Sequence, residues 1–78
     1  MRKAITSDKY LSLISWLKEA RLKNNLSMRD LAELIDEPHS FIGKIESAER
    51  RLDVYEYVAY CEALGINPAL GLKHLSSK

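Results

Sequence analysis

Lys44 stands four residues after Ser40 and five after His39, so on a helix the three share one side and present a cation, a hydroxyl and an imidazole together. Groups of this kind do hydrogen-bonding chemistry on polar edges. A lysine donates to guanine O6 or N7, a hydroxyl bonds in either sense, and an imidazole donates to a guanine or a phosphate. Phosphate-binding groups are expected on both sides of the set: the free N–H groups at the start of the second helix, near Met28 and Arg29, form an anion site to which Arg29 adds charge, and Ser47, Arg50 and Arg51 make a polar and basic loop behind it. Such residues suit phosphate contacts, which hold a protein in register while base contacts read sequence. Covalent and metal chemistry find no matching pattern. His39, His74, Cys61 and the serines show no nucleophile–base or metal-ligand spacing. The expectation is a protein that is not an enzyme and needs no cofactor and no metal.

These side chains need helices to position them. Three glycines and two prolines among 78 residues leave few breaks, which means helices with short connections, and no strict alternation marks a strand. A first helix is expected over about Ser7–Asn24, capped by Thr6 or Ser7, with Tyr10, Leu13, Leu17 and Ala20 on one face. The second starts at Ser27, where Ser27 and Asp30 form a capping box, and ends near Asp36–Glu37. Pro38 is placed at the first position of a third helix, which carries Phe41, Ile42 and Ile45 inward and ends near Ser47–Ala48. Asp53 and Glu56 cap a fourth helix with Val54, Tyr57, Val58, Cys61 and Leu64 as its inner stripe, and Gly65 closes it. Asn67–Pro68 opens a short fifth helix with Leu70, Leu72 and Leu75. The second and third helices are so close in sequence that they form a helix-turn-helix, whose second helix can enter a DNA major groove.

The chain is read as one small all-α domain over residues 1–78, with loose ends at about 1–6 and 76–78. A single cysteine excludes a disulfide scaffold. No apolar run approaches a membrane span, and the start lacks the apolar stretch of a signal peptide, so a cytoplasmic protein is expected. Twelve Lys and Arg against eleven Asp and Glu give a net charge of +1, so any DNA-binding charge must be gathered on one face. Glu37 lies beside the proposed reading end and must turn inward or cap the helix to avoid repelling phosphate.

Three stretches taken together carry a resemblance. Leu26–Leu34 resembles the second helix of the lambda-repressor-like (Cro/repressor, Xre-type) family, Ser40–Ser47 its recognition helix and following turn, and Glu62–Ile66 the end of its fourth helix. The resemblance spans roughly residues 13–75. It implies a compact five-helix domain, a homodimer, and a partly palindromic double-stranded DNA operator as the partner. It puts His39, Ser40 and Lys44 where base edges are read, Phe41 where a groove-facing residue lies, and Arg21 and Glu46 where an ion pair joins the first helix to the third. The chain departs from the family pattern at Met28, Pro38 and Ala48, where Gln, Ser or Thr, and Gly are usual; Ala48 in a left-handed conformation costs about 1 kcal/mol.

Phe41 keeps two readings, packing on a thymine methyl or lying in the core or a subunit contact, and Trp16 either anchors a partner or finishes the core. Cys61 reads as a small core residue. The expected function is a sequence-specific transcriptional regulator, a dimeric repressor or controller acting near its own gene, bacterial or phage-encoded and nucleoid-associated. Its dimer surface is expected to use Leu70, Leu72 and Leu75 with Tyr57 or Tyr60, setting two reading helices about 34 Å apart. The alternative is a protein-interaction module or antitoxin subunit on the same fold, bound to a toxin or other protein.

Overall fold

A computed structural model describes residues 7–76. They form five helices: α1 Asp8–Lys23, α2 Met28–Leu34, α3 His39–Glu46, α4 Val54–Leu64 and α5 Pro68–Ser76. Among the described residues there is no strand. The helix starts follow local chemistry. Ser7 Oγ accepts from the N–H of Tyr10 to cap α1. Full capping boxes open α2 (Ser27 with Asp30) and α4 (Asp53 with Glu56). Pro38 stands one position earlier than expected: it is the cap residue of α3, with extended backbone, and His39 is the first helical residue. The residue before a helix needs a non-helical ψ, which proline's fixed φ permits.

All four connections end the preceding helix in the same way. One residue in each turns left-handed: Asn25, Asp36, Ala48 and Gly65, with φ of 57°, 60°, 63° and 70°. The next residue's N–H then reaches back five positions, Leu26 to Arg21, Glu37 to Ala32, Glu49 to Lys44 and Ile66 to Cys61, at 2.9–3.2 Å. This is the Schellman closure, which satisfies a carbonyl that the helix leaves open. It ends α2 at Leu34, about two residues before the sequence expectation. Asn, Asp and Gly accept this conformation readily, whereas Ala48 holds it against its Cβ.

The core lies where α1, α2, α3 and α4 converge, with Leu17, Leu31, Ile42, Ile45, Tyr60 and Cys61 shut off from solvent. Burial pushes the Cys61 thiol up, against the Tyr57 hydroxyl, which pulls it down. Two expectations for α4 are corrected. Tyr60 belongs wholly to the core and cannot form a subunit surface, and Tyr57 is buried beside it with only an edge reaching a surface groove, because the buried stripe is 57, 60, 61, 64, a three- and four-residue repeat. Val54 is the one that leaves the stripe: in the first turn it projects past the end of the core and is 80% exposed.

α5 closes the bundle on α1. Gly71 is buried there, and a Cβ on it would overlap the Tyr57 hydroxyl and the Trp16 ring. Trp16 is half-buried against α5, with the His74 ring 5.8 Å away. His74 Nδ1 and Ser12 Oγ share a hydrogen bond of 2.7 Å, and Tyr57 Oη donates to the carbonyl of Pro68. A serine–histidine pairing is therefore present after all, 62 residues apart in sequence, and it serves to tie α1 to α5. The helix runs through Ser76; residues 1–6, Thr6 as an alternative cap included, and 77–78 lie outside the described residues.

Candidate nucleic-acid interface

α3 has eight residues and two sides. Ile42 and Ile45 are wholly buried, and Phe41 is 7% exposed. The other side presents His39, Ser40 and Lys44 to solvent, with half-buried Gly43 between them and Ser47 beyond. The two sides follow from sequence order, since 39, 40, 43, 44 and 47 recur at three- and four-residue steps. Phe41 is corrected here. It cannot touch a thymine methyl, because its ring is turned into the core and covered from outside by the Arg50 guanidinium, 4.7 Å from its centroid.

α3 is held at this angle by a buried ion pair. Arg21 Nε and Nη2 donate to Glu46 Oε2 and Oε1 at 2.7 and 3.0 Å, and Nη1 donates to the Leu26 carbonyl at 2.8 Å. The two side chains are 7% and 4% exposed. The hydrogen bonds from Glu46 hold the guanidinium above its ordinary pKa against the opposing effect of burial. The pair thus locks the end of the outward-facing helix to α1 and to the turn leading into α2. A buried pair of this kind fixes geometry, and removing one partner strands a charge at a cost of about 3–5 kcal/mol.

The flanking residues divide. Arg29 and Met28 are exposed at the start of α2, and Met28 Sδ lies 3.9 Å from where a Cβ of Gly43 would be. The N-terminus of α2 thus abuts the middle of α3. Its capping box already uses the N–H groups of Ser27 and Asp30 and places the Asp30 carboxylate there, held below the usual carboxylate range by Ser27. That carboxylate shares the helix end with the N–H groups of Met28 and Arg29, which the capping box does not use, and with the exposed Arg29 side chain. Arg51 is exposed beyond α3. Ser47 Oγ lies 2.8 Å from Glu49 Oε2 and must turn from it to reach a phosphate. Arg50 is exposed too, and two of its nitrogens donate to the Glu56 carboxylate at 2.9 Å each. Glu37 is half-buried and lines a small hollow with Phe41, Tyr55 and Glu56, turned from the reading side.

Gly43 is a member of the site that sequence reasoning passed over. It lies between Ser40 and Lys44 with no side chain to hold a partner off. A glycine inside a helix costs about 0.5–1 kcal/mol relative to alanine, and that cost was the available signal.

Comparison with known proteins agrees with this geometry. A helix-turn-helix family profile matches residues 17–70, which include the whole of α2, α3 and α4. An XRE-family like protein from Pseudomonas syringae pv. tomato str. DC3000 has a similar structure, with a TM-score of 0.80, 39% sequence identity, and coverage of 86% of this chain and 82% of that one. No curated protein sequence matches the chain. A buried Arg–Glu lock, an outward polar side on the helix after the tight turn, and these two matches converge: the chain belongs to the Xre-type, lambda-repressor-like helix-turn-helix family of DNA-binding regulators.

Proposed function

We propose that this protein is a sequence-specific double-stranded DNA-binding transcriptional regulator, acting as a dimeric repressor or controller on an operator near its own gene. The observation that carries the reading is the two-sided α3: its inner side is sealed in the core while His39, Ser40 and Lys44 are exposed on the other, with half-buried Gly43 between them. His39, Ser40 and Lys44 read base edges, and Arg29, Arg51 and Ser47 hold phosphates on either side. The setting is the cytoplasm of a bacterium, with the nucleoid or a phage genome as target; no described helix is long and apolar enough to cross a membrane.

The dimer surface is proposed on the apolar residues that α5 leaves outside, Leu70, Leu72 and Leu75, all of them exposed. Val54 joins them, and Tyr60 does not. With Leu72, Leu75, Tyr10, Leu13 and Leu52, Val54 lines a groove of ≈ 420 Å³, and Tyr57 contributes only to its floor. The same surface favours a second reading, in which a toxin or other protein sits there: Val54 is 80% exposed beside the exposed leucines of α5, more apolar surface than DNA binding requires.

The test is selection of bound sequences from a random duplex pool, followed by mobility shifts on the selected duplex. The wild-type protein is expected to shift it with strong salt dependence. Lys44→Ala is expected to weaken binding by about 1–3 kcal/mol and relax the preference at one base position. Absence of any salt-sensitive shift on selected duplexes, with a protein partner co-purifying, would leave the second reading in its place.

A further inference from the structure

Arg50 is the most heavily engaged side chain near α3 that the DNA reading does not yet use. Its guanidinium lies over the Phe41 ring, and its Nη1 and Nη2 reach the two oxygens of Glu56. Nη1 also reaches the Arg51 carbonyl at 3.1 Å. Its backbone is fixed as well, for its N–H donates to the Lys44 carbonyl and its carbonyl accepts from Tyr10 Oη. Glu56 Oε1 accepts from the N–H of Asp53 too, closing the α4 capping box. One side chain therefore joins the first turn of α3, through Phe41, to the first turn of α4, through Glu56. Phe41 directly follows Ser40, so whatever sets the Phe41 ring sets the turn that presents His39 and Ser40.

We infer that Arg50 is a positioning residue for sequence readout, a strut that fixes the start of α3, and that Arg51 beside it is the phosphate contact of this loop. The inference rests on the DNA-binding reading. Its physical basis is charge and geometry. An arginine matched two-for-two with a carboxylate brings little net charge to a phosphate, and its planar face is already spent on an aromatic ring. Lysine keeps the charge but offers neither the fork nor the flat face.

The experiment measures binding by fluorescence anisotropy against salt, on a selected duplex and on a scrambled one, for the wild type, Arg50→Lys, Glu56→Gln, Phe41→Leu and Arg51→Gln. Each variant is first shown to be folded at the assay temperature by circular dichroism. Arg50→Lys is expected to lose about tenfold on the selected duplex, a share comparable to one base contact, with the scrambled duplex and the salt slope unchanged. Glu56→Gln and Phe41→Leu are expected to lose in the same sense, and combining Arg50→Lys with Glu56→Gln to lose no more than either alone. Arg51→Gln is expected to weaken both duplexes alike and lower the salt slope by about one. A phosphate-binding Arg50 predicts the reverse: Arg50→Lys is tolerated, and Glu56→Gln, which frees the guanidinium, tightens binding to both duplexes. That result overturns the inference and leaves the DNA reading standing. Failure of the wild type to bind any selected duplex overturns the DNA reading, and the inference with it. If a variant unfolds, the remaining two partners of the strut decide between the same opposed signs.

Discussion

Tyr60 carries its hydroxyl into the centre of the molecule, where the ring is fully buried and the oxygen has no hydrogen-bond partner among the described residues. Burial pushes its pKa well up, with the Glu46 charge adding to the effect and Arg21 opposing it. A buried, unpaired hydroxyl contributes nothing that phenylalanine would lack and retains a desolvation cost of about 1–3 kcal/mol. Tyr60→Phe is therefore expected to leave stability unchanged or to raise it by up to about 1 kcal/mol in urea unfolding; a loss of more than that would mean the hydroxyl is satisfied. Glu56 has the opposite character. The Arg50 hydrogen bonds hold its carboxyl below the usual range, against a smaller opposing effect of burial. A depressed folded-state pKa gives stability that is present above the ordinary value of 4.5 and lost as pH falls through the lower, folded one. Wild type and Glu56→Gln should thus differ in urea midpoint at pH 7 and converge below pH 4.5. A gap that holds constant from pH 7 to pH 3 contradicts the pairing.

Between elements, the least forgiving contact is that of α5 with α1 and α4 at Gly71. No methyl group fits between that backbone and the Trp16 and Tyr57 side chains. Gly71→Ala must push α5 outward, disturbing the Ser12–His74 and Tyr57–Pro68 hydrogen bonds. A loss of about 1–3 kcal/mol is expected, despite alanine's better helix propensity. A variant as stable as wild type would show α5 to be loosely docked. This close approach was not legible in the sequence, where Gly71 is one small residue among leucines. Most helix ends were legible, because Ser27–Asp30, Asp53–Glu56 and Gly65 act within a few residues of themselves; the end of α2 at Leu34 was not. The outward set His39, Ser40 and Lys44 was legible for the same reason, being fixed by helical spacing. What spacing could not supply was the partner across space. Phe41 was left between DNA and core because its cover, Arg50, arrives from another loop. Tyr57 was legible as part of the inner stripe of α4, whereas its polar tip let Tyr60 pass for surface, and only the buried stripe of α4 shows otherwise.

On the scale of the molecule, the net charge is +1, so a DNA partner must be met by cations gathered near α3. Arg21 and Arg50 are each matched to a carboxylate, while Arg29, Lys44 and Arg51 are exposed around α3 and have no ion pair among the described residues. Dimerisation belongs to this scale too. Leu72→Asp combined with Leu75→Asp alters exposed positions only, so the fold is expected to survive while light scattering reports monomer in place of dimer and operator affinity falls. A wild-type protein already monomeric at high micromolar concentration would contradict the proposed surface. The account as a whole depends on the exposed side of α3 lying in a DNA groove, and amide chemical-shift mapping of the labelled protein with a selected duplex tests that most directly. The account predicts shifts concentrated at His39, Ser40, Gly43 and Lys44, with Arg29 and Arg51 at the margins. Shifts that leave α3 untouched, or that centre on α5 and the first turn of α4, would contradict it.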